Sequence, residues 1–458
     1  MKKSLLLLLA VGFVGCQQPS KPEYTILSGK TSGYEAKKIN LFNGDRSISK
    51  SLDVNEDGTF RDTLILPSDF YHVYVGRSYV NLYLENGMDI DVTIFDSQSK
   101  KLPEITGVGI AVNQYLLERR RLEEELTEQG AEIYKLEETD FMAKFNQVIT
   151  REQQLLDTIS GLTGDFKEKE KRNIQYEYLM ALKQYPSYHR YYAKDEDYQP
   201  SERLTGQIDQ ISLHEEVDYR FSNAYRELVS SKYATQAREE ADDDVNVNRA
   251  DRLLALLTEV PNEYIREKLI VRYGMSDMAK SDDLDAYYSK MAAALSNTEH
   301  LETAKVNYEK YKKIEKGVQS PEFTGYENHA GGSKSLSELK GEYVYIDVWA
   351  TWCGPCKYEI PFLKTLEGDY HGKDIHFVSI SIDEAKDHDK WVNMVNEKEL
   401  GGIQLLADNA WKSKFVQDYY INGIPRFILL DKEGKILDSD APRPSSKEIR
   451  EIFDSLDI

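Results

Sequence analysis

Cysteine, long apolar runs and positive charge are all scarce in this chain of 458 residues. Three cysteines are too few for a scaffold held together by disulfides. The one stretch apolar enough for a membrane, residues 5–14, is shorter than the roughly 20 residues of a membrane-spanning helix. With 58 Lys+Arg against 79 Asp+Glu, the net charge is −21. Such a chain repels phosphate backbones, so nucleic acid is not an expected partner.

The amino-terminal segment has the layout of an export signal. Positive Met1-Lys2-Lys3 precedes the apolar run, which ends at Gly15-Cys16. The residues Phe13-Val14-Gly15-Cys16 resemble a bacterial lipobox, although Leu is usual at the first position. The resemblance implies cleavage before Cys16 and lipidation of its thiol; the alternative is an ordinary signal with a chance cysteine. We therefore expect a protein of the cell envelope, lipid-anchored to a bacterial membrane and facing the periplasm, with the choice of membrane left open.

Hydrophobic periodicity divides the rest of the chain into three parts and predicts a multidomain α+β protein. After the signal at residues 1–16, a period of two predicts an antiparallel β-sandwich over residues 17–103. A helical period follows over residues 104–315, with Pro186, Pro200 and Pro261 interpreted as helix ends. Residues 316–458 alternate strands and helices and close with a hairpin, which predicts an α/β domain with a mixed central sheet.

A run of three arginines within the helical part could be a basic patch for a polyanion. Each of Arg119, Arg120 and Arg121 has a glutamate four residues further on, a spacing that pairs opposite charges along one helix. We therefore predict a solvent-exposed face of ion pairs there.

The strongest chemical signal is Trp352-Cys353-Gly354-Pro355-Cys356, which stands where a strand gives way to a helix. At a helix N-terminus the free N–H groups and the dipole stabilise a thiolate, so Cys353 is the predicted nucleophile. Two intervening residues let Cys356 close a disulfide with it and resolve a mixed disulfide, from a more shielded position. Half of a zinc site is the alternative, but zinc needs about four ligands and no second Cys pair is present. A structural disulfide closing so small a loop would stabilise little.

This segment resembles the active site of the thioredoxin superfamily, and within it the exported TlpA/ResA-like thiol–disulfide oxidoreductases. The resemblance covers residues 317–458 and includes the entry segments at residues 317–323 and 335–341. It implies a thioredoxin fold and a redox-active Cys353–Cys356 disulfide. Residues 24–95 resemble, more weakly, the small β-domain attached to such lipoproteins in Bacteroidetes-type bacteria, a likeness that indicates no activity.

Two acids complete the predicted catalytic set. Asp347 lies in an apolar strand six residues before Cys353; by resemblance it accepts the proton of the resolving thiol Cys356. A desolvated carboxylate has a raised pKa and suits a general base near pH 7. Glu359, one turn after Cys356, matches an acid that tunes the same pair. The alternatives are a solvent-facing Asp on an edge strand and an exposed helix glutamate.

The resemblance also implies a substrate-binding surface beside the cysteines. Trp352 precedes the pair, and Ile424-Pro425 matches the cis-proline loop, whose backbone pairs with a substrate strand. Arg426 follows, where a small Thr is common; it either supports the thiolate or selects acidic substrates, or it is a surface residue. Ser379 stands where cytosolic thioredoxins often have a lysine near the buried acid, so proton handling is expected to differ.

The expected activity is dithiol–disulfide exchange on disulfide-containing proteins outside the cytoplasm. The Gly-Pro dipeptide resembles reducing members of the superfamily, with thioredoxin at about −270 mV, so we expect a reductase fed by a membrane electron donor of the thiol type. No cofactor and no metal are expected. Disulfide isomerisation is the close alternative, and a binding or scaffold lipoprotein with incidental thiols is another. A peroxide-reducing enzyme fits poorly, because it relies on a lone cysteine with a distant resolving partner.

Overall fold

The computed structural model describes residues 22–33, 36–44, 46–99, 101–126, 130–244 and 247–458. The chain forms two compact units, Met1–Val229 and Ser230–Ile458. The predicted signal and its lipidation site Cys16 lie outside the described residues. The predicted domain boundaries at 16, 103 and 315 stay predictions.

The first unit begins with two four-stranded sheets, in the orders β4-β1-β7-β8 and β3-β2-β5-β6. Every pairing is antiparallel except that of β1 with β7. The predicted sandwich is thereby confirmed, with one parallel pair that alternation alone does not reveal. The strands are β1 (Thr25–Ser32), β2 (Lys38–Asn43), β3 (Ser49–Asp53), β4 (Thr59–Leu64), β5 (Asp69–Val75), β6 (Ser78–Leu84), β7 (Asp89–Phe95) and β8 (Glu104–Val108).

Alternation along each strand builds the core of the sandwich. In β5 the buried side chains are Tyr71, Val73 and Val75, every second residue, as a strand with one buried face requires. The other strands contribute in the same way to one continuous apolar cluster.

Helices follow the sandwich, and the division between the two units falls within α6. Pro186 lies inside α3, so the prediction that it ends a helix is wrong. No helix of the described residues combines the length and the apolar character needed to cross a bilayer. The helices are α1 (Ala111–Leu126), α2 (Glu138–Thr158), α3 (Gly164–Ala193), α4 (Glu202–Asp209), α5 (Glu216–Phe221), α6 (Asn223–Asp243), α7 (Arg249–Thr258), α8 (Glu263–Leu269), α9 (Met275–Asp277), α10 (Leu284–Ala294) and α11 (Thr298–Tyr311).

The arginine run on α1 is only partly a solvent-exposed face. Arg120 forms an ion pair with Glu124 at 3.1 Å, as predicted. Arg121 forms an ion pair with Glu118, three residues before it, and not with the predicted Glu125. Arg119 is buried, with its side chain 8% exposed, and besides its predicted partner Glu123 it binds carboxylates of α2 and α3. The prediction that Arg119 is solvent-exposed is therefore wrong, because carboxylates of α2 and α3, and not only those of α1, surround its guanidinium.

The C-terminal part of the second unit is a seven-stranded mixed sheet in the order β10-β9-β13-β12-β11-β14-β15. The central strands β11, β12 and β13 are parallel, and β14 pairs antiparallel with β11. This confirms the predicted α/β domain with a mixed sheet. Its elements are β9 (Tyr326–Asn328), β10 (Ser333–Lys334), β11 (Tyr343–Trp349), α12 (Gly354–Asp369), β12 (Ile375–Ser381), α13 (His388–Glu397), β13 (Ile403–Leu406), α14 (Lys414–Asp418), β14 (Arg426–Leu430), β15 (Ile436–Asp438) and α15 (Glu448–Ser455).

Apolar layers cover both faces of this sheet, as expected for parallel strands. Alternate residues of β11 belong to different layers: Val344, Ile346 and Val348 to one, and Tyr345 to the other, which includes residues of α12 and α15. Asp347 follows Tyr345 by two residues, so its carboxyl group is directed into the second layer.

Candidate active site

Cys353 and Cys356 are joined in a disulfide at the start of α12, with their Cα atoms 5.3 Å apart. Cys353 occupies the N-cap position, and its sulfur accepts a hydrogen bond of 3.1 Å from the backbone N–H of Cys356. Pro355 sits in the first turn, where a missing N–H does no harm and the fixed φ favours the helix. The sequence therefore places the first sulfur where helix N–H groups converge.

The proline loop lies against the disulfide. The sulfur of Cys353 is 3.8 Å from the carbonyl oxygen of Ile424, and the Ile424–Pro425 peptide bond is cis, as the resemblance implies. Cys353 and Cys356 are each only 4% exposed, so the disulfide form shows no difference in exposure between the two residues, and the greater shielding of the Cys356 sulfur stays a prediction. The loop contacts the sulfur of Cys353, the same sulfur that accepts the helix N–H of Cys356.

Asp347 is buried in the central strand, which excludes the solvent-facing alternative. It is 8% exposed, and its Oδ1 atom has no hydrogen-bond partner among the described residues. Burial, followed by the negative charge of Glu359, raises the pKa of Asp347 from 3.8 to about 8. Such a carboxyl group can hold or release a proton near neutral pH.

Glu359 is also buried, at 3% exposure, and the exposed-glutamate alternative is excluded. Its two carboxylate oxygens accept hydrogen bonds from Ser445, one from the backbone N–H at 3.0 Å and one from the hydroxyl at 2.9 Å. Arg443 approaches the same carboxylate to 4.0 Å. The structure thus brings Asp347 and Glu359 together beside the first turns of α12, while their catalytic roles stay predictions.

Asp383, which was not predicted as a site residue, accepts hydrogen bonds from the chain just before the cysteines. Asp383 is 1% exposed and accepts hydrogen bonds from the backbone N–H and the hydroxyl of Thr351, at 2.9 and 2.7 Å. The hydroxyl of Ser381 adds a third bond of 2.7 Å. The available signal is its place two residues after the end of a buried parallel strand, β12, where functional residues of open α/β sheets collect.

Two further predicted site residues are Trp352, which precedes Cys353, and Arg426, which follows the cis-proline. Trp352 is 55% exposed, and its ring lies 6.3 Å from that of Trp411, which is not among the predicted site residues. Arg426 pairs with Asp440 at 3.0 Å and donates to the carbonyl oxygen of Ser439 at 3.3 Å. Its guanidinium is therefore engaged by acidic and backbone groups, and a role toward the thiolate or the substrate stays a prediction.

The donor set gives no support to the zinc alternative. The two cysteines are bonded to each other, and within the described ranges no three His, Cys, Asp or Glu side chains form a group suited to a metal ion.

A disulfide at the N-terminus of a helix that follows a central parallel strand, opposite a cis-proline loop, defines the thioredoxin class of redox domains. The Redoxin family model matches residues 315–454. The chain is 29% identical over 151 residues to the thioredoxin-like protein YneN of Bacillus subtilis, spanning 32% of this chain and 86% of that protein. It is 29% identical over 126 residues to the thiol-disulfide oxidoreductase ResA of Bacillus cereus, spanning 28% and 69%.

Solved structures include a similar Bacteroides vulgatus protein, proposed to be a thiol–disulfide oxidoreductase. It is 52% identical and covers 29% of this chain and 84% of that one, with a TM-score of 0.27. These matches identify the C-terminal part of the chain as a ResA-like thiol–disulfide oxidoreductase of the thioredoxin superfamily.

Proposed function

We propose that this protein is a lipid-anchored reductase of protein disulfides that works outside the cytoplasm through the Cys353–Cys356 dithiol. One observation carries the catalytic part of the proposal: the sulfur of Cys353 accepts the N–H of Cys356 at a helix N-terminus, and the two sulfurs are bonded to each other. In the reduced protein the same N–H stabilises a thiolate on Cys353.

The proposed reaction uses these two sulfurs and the Asp347 carboxyl group in turn. The Cys353 thiolate attacks a substrate disulfide, forms a mixed disulfide and expels the first substrate thiolate. Cys356 then loses its proton to the Asp347 carboxylate and attacks the sulfur of Cys353. The internal disulfide forms, and the second substrate sulfur leaves as a thiolate that takes a proton from water. A dithiol donor at the membrane restores the reduced pair by the reverse exchange, so two electrons pass from donor to substrate.

Exposed aromatic side chains around the disulfide support a polypeptide substrate. Trp352, Tyr358 and Phe362 are 55%, 65% and 38% exposed, and the last two contact each other on α12 with ring centroids 5.4 Å apart. An apolar surface rimmed by polar groups is typical of a protein-binding site. The carbonyl oxygen of Ile424 beside the sulfur offers an acceptor for the backbone of an extended substrate segment.

The location outside the cytoplasm is supported by the amino-terminal sequence alone. The charged start, the apolar run and the exit residues before Cys16 fit an export signal with lipidation at that cysteine.

Insulin reduction by the full chain, recycled with a small dithiol, tests the proposal. Wild type should precipitate the insulin B chain, and Cys353→Ser should remove this activity. Cys16→Ser is the matched control, because it deletes a different thiol: it should keep the activity and lose membrane association on expression in a bacterial host. Equal activity of wild type and Cys353→Ser would overturn the enzymatic proposal, and membrane retention of Cys16→Ser would overturn the anchor.

A further inference from the structure

Three polar side chains form a row across the centre of the C-terminal sheet. In the register of β11, β12 and β13, Asp347 pairs with Ser379 and Ser379 pairs with Gln404. Paired residues on neighbouring strands point to the same side of a sheet. All three are buried, in a sheet whose parallel strands are otherwise strongly apolar. Buried polar groups of this kind need hydrogen-bond partners.

The same three residues line one small cavity between the sheet and α12. The centre of a water molecule can occupy about 20 Å³ of this cavity. This is room for about one water, since a site needs roughly 10–15 Å³ by that measure. Three lining residues carry buried polar atoms with no hydrogen-bond partner in the described part of the chain: Asp347 Oδ1, Gln404 Oε1 and Trp349 Nε1. A space of this size beside unpartnered acceptors and a donor fits a bound water, which needs two to four polar partners.

Glu367 of α12 also lines this cavity. Its carboxylate sits against the chain that leads into β13: the N–H of Gly402 donates to it, and a Cβ on Gly401 would come within 2.5 Å of its oxygens. The side chain is half-buried. Burial raises the pKa of Glu367, opposed by the Gly402 N–H and by the positive charges of His371 and Lys364.

Helix periodicity connects this cavity with the resolving cysteine. Ile360, Leu363 and Glu367 line the cavity, and they follow Cys356 by four, seven and eleven residues, so all four lie on one face of α12. The cavity therefore lies on the same face of α12 as the resolving cysteine.

We propose that water in this cavity links Asp347 to Glu367 and that Glu367 passes the proton of the resolving step to solvent, with Gln404 holding the water in position. The proposal rests on the proposed function, in which Asp347 takes the proton of Cys356. After the internal disulfide has formed, Asp347 holds that proton and is only 8% exposed, so direct loss of the proton to bulk solvent is restricted. The proton moves to the bound water as the water gives one to Glu367, and Glu367 releases it to bulk solvent; no electrons move in this relay.

A two-phase reaction with an aromatic disulfide that releases a coloured thiolate separates the steps. The first equivalent of thiolate reports attack by Cys353, and the second reports resolution by Cys356. In Glu367→Gln and Gln404→Leu the first phase should keep the wild-type rate. The second should slow by about tenfold near pH 7, less than the 10²–10⁴-fold effect of losing a general base. Added imidazole should restore the second phase of Glu367→Gln, because a soluble base can replace the carboxylate that lines the cavity.

Two further variants, Asp369→Asn and Asp347→Asn, distinguish failure of the relay from failure of the proposed function. Asp369→Asn removes a carboxylate of the same helix that pairs with Arg450 at 2.8 Å, outside the cavity, and should leave both phases unchanged. Asp347→Asn should slow the second phase. If it does so while Glu367→Gln and Gln404→Leu match wild type, the relay is overturned and the proposed function stands. If Asp347→Asn matches wild type too, both the role of Asp347 and the relay are overturned. A crystal structure of the oxidised protein without water between Asp347 and Gln404 would also overturn the relay.

Discussion

Replacing Asp347 by Asn should make the C-terminal domain more stable at neutral and alkaline pH. The folded protein holds a proton on this carboxyl group with a pKa of about 8, against an ordinary value of 3.8. Below pH 3.8 the carboxyl group is protonated in both the folded and the unfolded chain, so it contributes no pH dependence to the free energy of unfolding. Above that pH the unfolded chain ionises while the folded chain does not, so stability is lost progressively as pH rises toward the folded pKa.

The magnitude follows from the size of that window. Each pH unit between the two values lowers the free energy of unfolding by about 1.4 kcal/mol. Near pH 7 the free energy of unfolding of wild type is therefore lower by on the order of 4 kcal/mol. The Asp347→Asn variant does not lose this stability, because asparagine does not ionise. A buried amide without partners costs about 1–3 kcal/mol. The Asp347→Asn variant should therefore be less stable than wild type near pH 4 and more stable by a few kcal/mol near pH 8.

Tryptophan fluorescence during urea unfolding of the oxidised full chain measures this directly. All four tryptophans lie between Trp349 and Trp411, so the signal reports the C-terminal domain alone. Asp374→Asn is the matched control: its carboxylate is exposed and pairs with Lys432 at 3.1 Å, and its removal should change stability by less than about 1 kcal/mol. A stability difference between wild type and Asp347→Asn that stays constant from acid to alkaline pH would refute the reasoning.

Other predictions concern the buried Arg119, the hydrogen bonds that Ser445 donates to Glu359, and the exposed Trp352. Arg119→Met should destabilise the N-terminal unit by about 3–5 kcal/mol, because it leaves buried carboxylates without their counter-charge. Arg120→Met should change it by less than about 1 kcal/mol, both measured by circular dichroism in urea. Ser445→Ala should lower the unfolding free energy seen by tryptophan fluorescence by about 1–3 kcal/mol, since Glu359 loses one charged hydrogen bond. Trp352→Ala should reduce kcat/KM for insulin by about tenfold, as expected for a truncated contact tryptophan, and leave the reduction of a small aromatic disulfide unchanged; equal losses on both would contradict a role in protein binding.

The features set by local pattern were predictable from the sequence. The apolar runs became β11, β12 and β14, and the cysteine spacing placed a disulfide at a helix start. β13 was not predicted, because its four residues, one of them Gln404, are too few to show a period.

Features that depend on packing between distant segments were not predictable. Arg119 is buried by glutamates of two later helices, and Glu359 is held by Ser445, 86 residues further along the chain. Pro186 lies within a 30-residue helix, where tertiary packing outweighs its local tendency to end one. The polar row from Asp347 to Gln404 likewise exists only in the register of three strands.

The most direct test of the account is the pH dependence of alkylation of the reduced protein by iodoacetamide, with the modified cysteine identified by mass spectrometry. The helix N-terminus should make Cys353 a thiolate well below the ordinary thiol pKa of about 8.5. Cys353 should therefore be modified first, with a titration midpoint near or below pH 7, while Cys356 stays unmodified over the same range. A midpoint for Cys353 at or above about 8.5, or equal modification of both cysteines at neutral pH, would contradict the account.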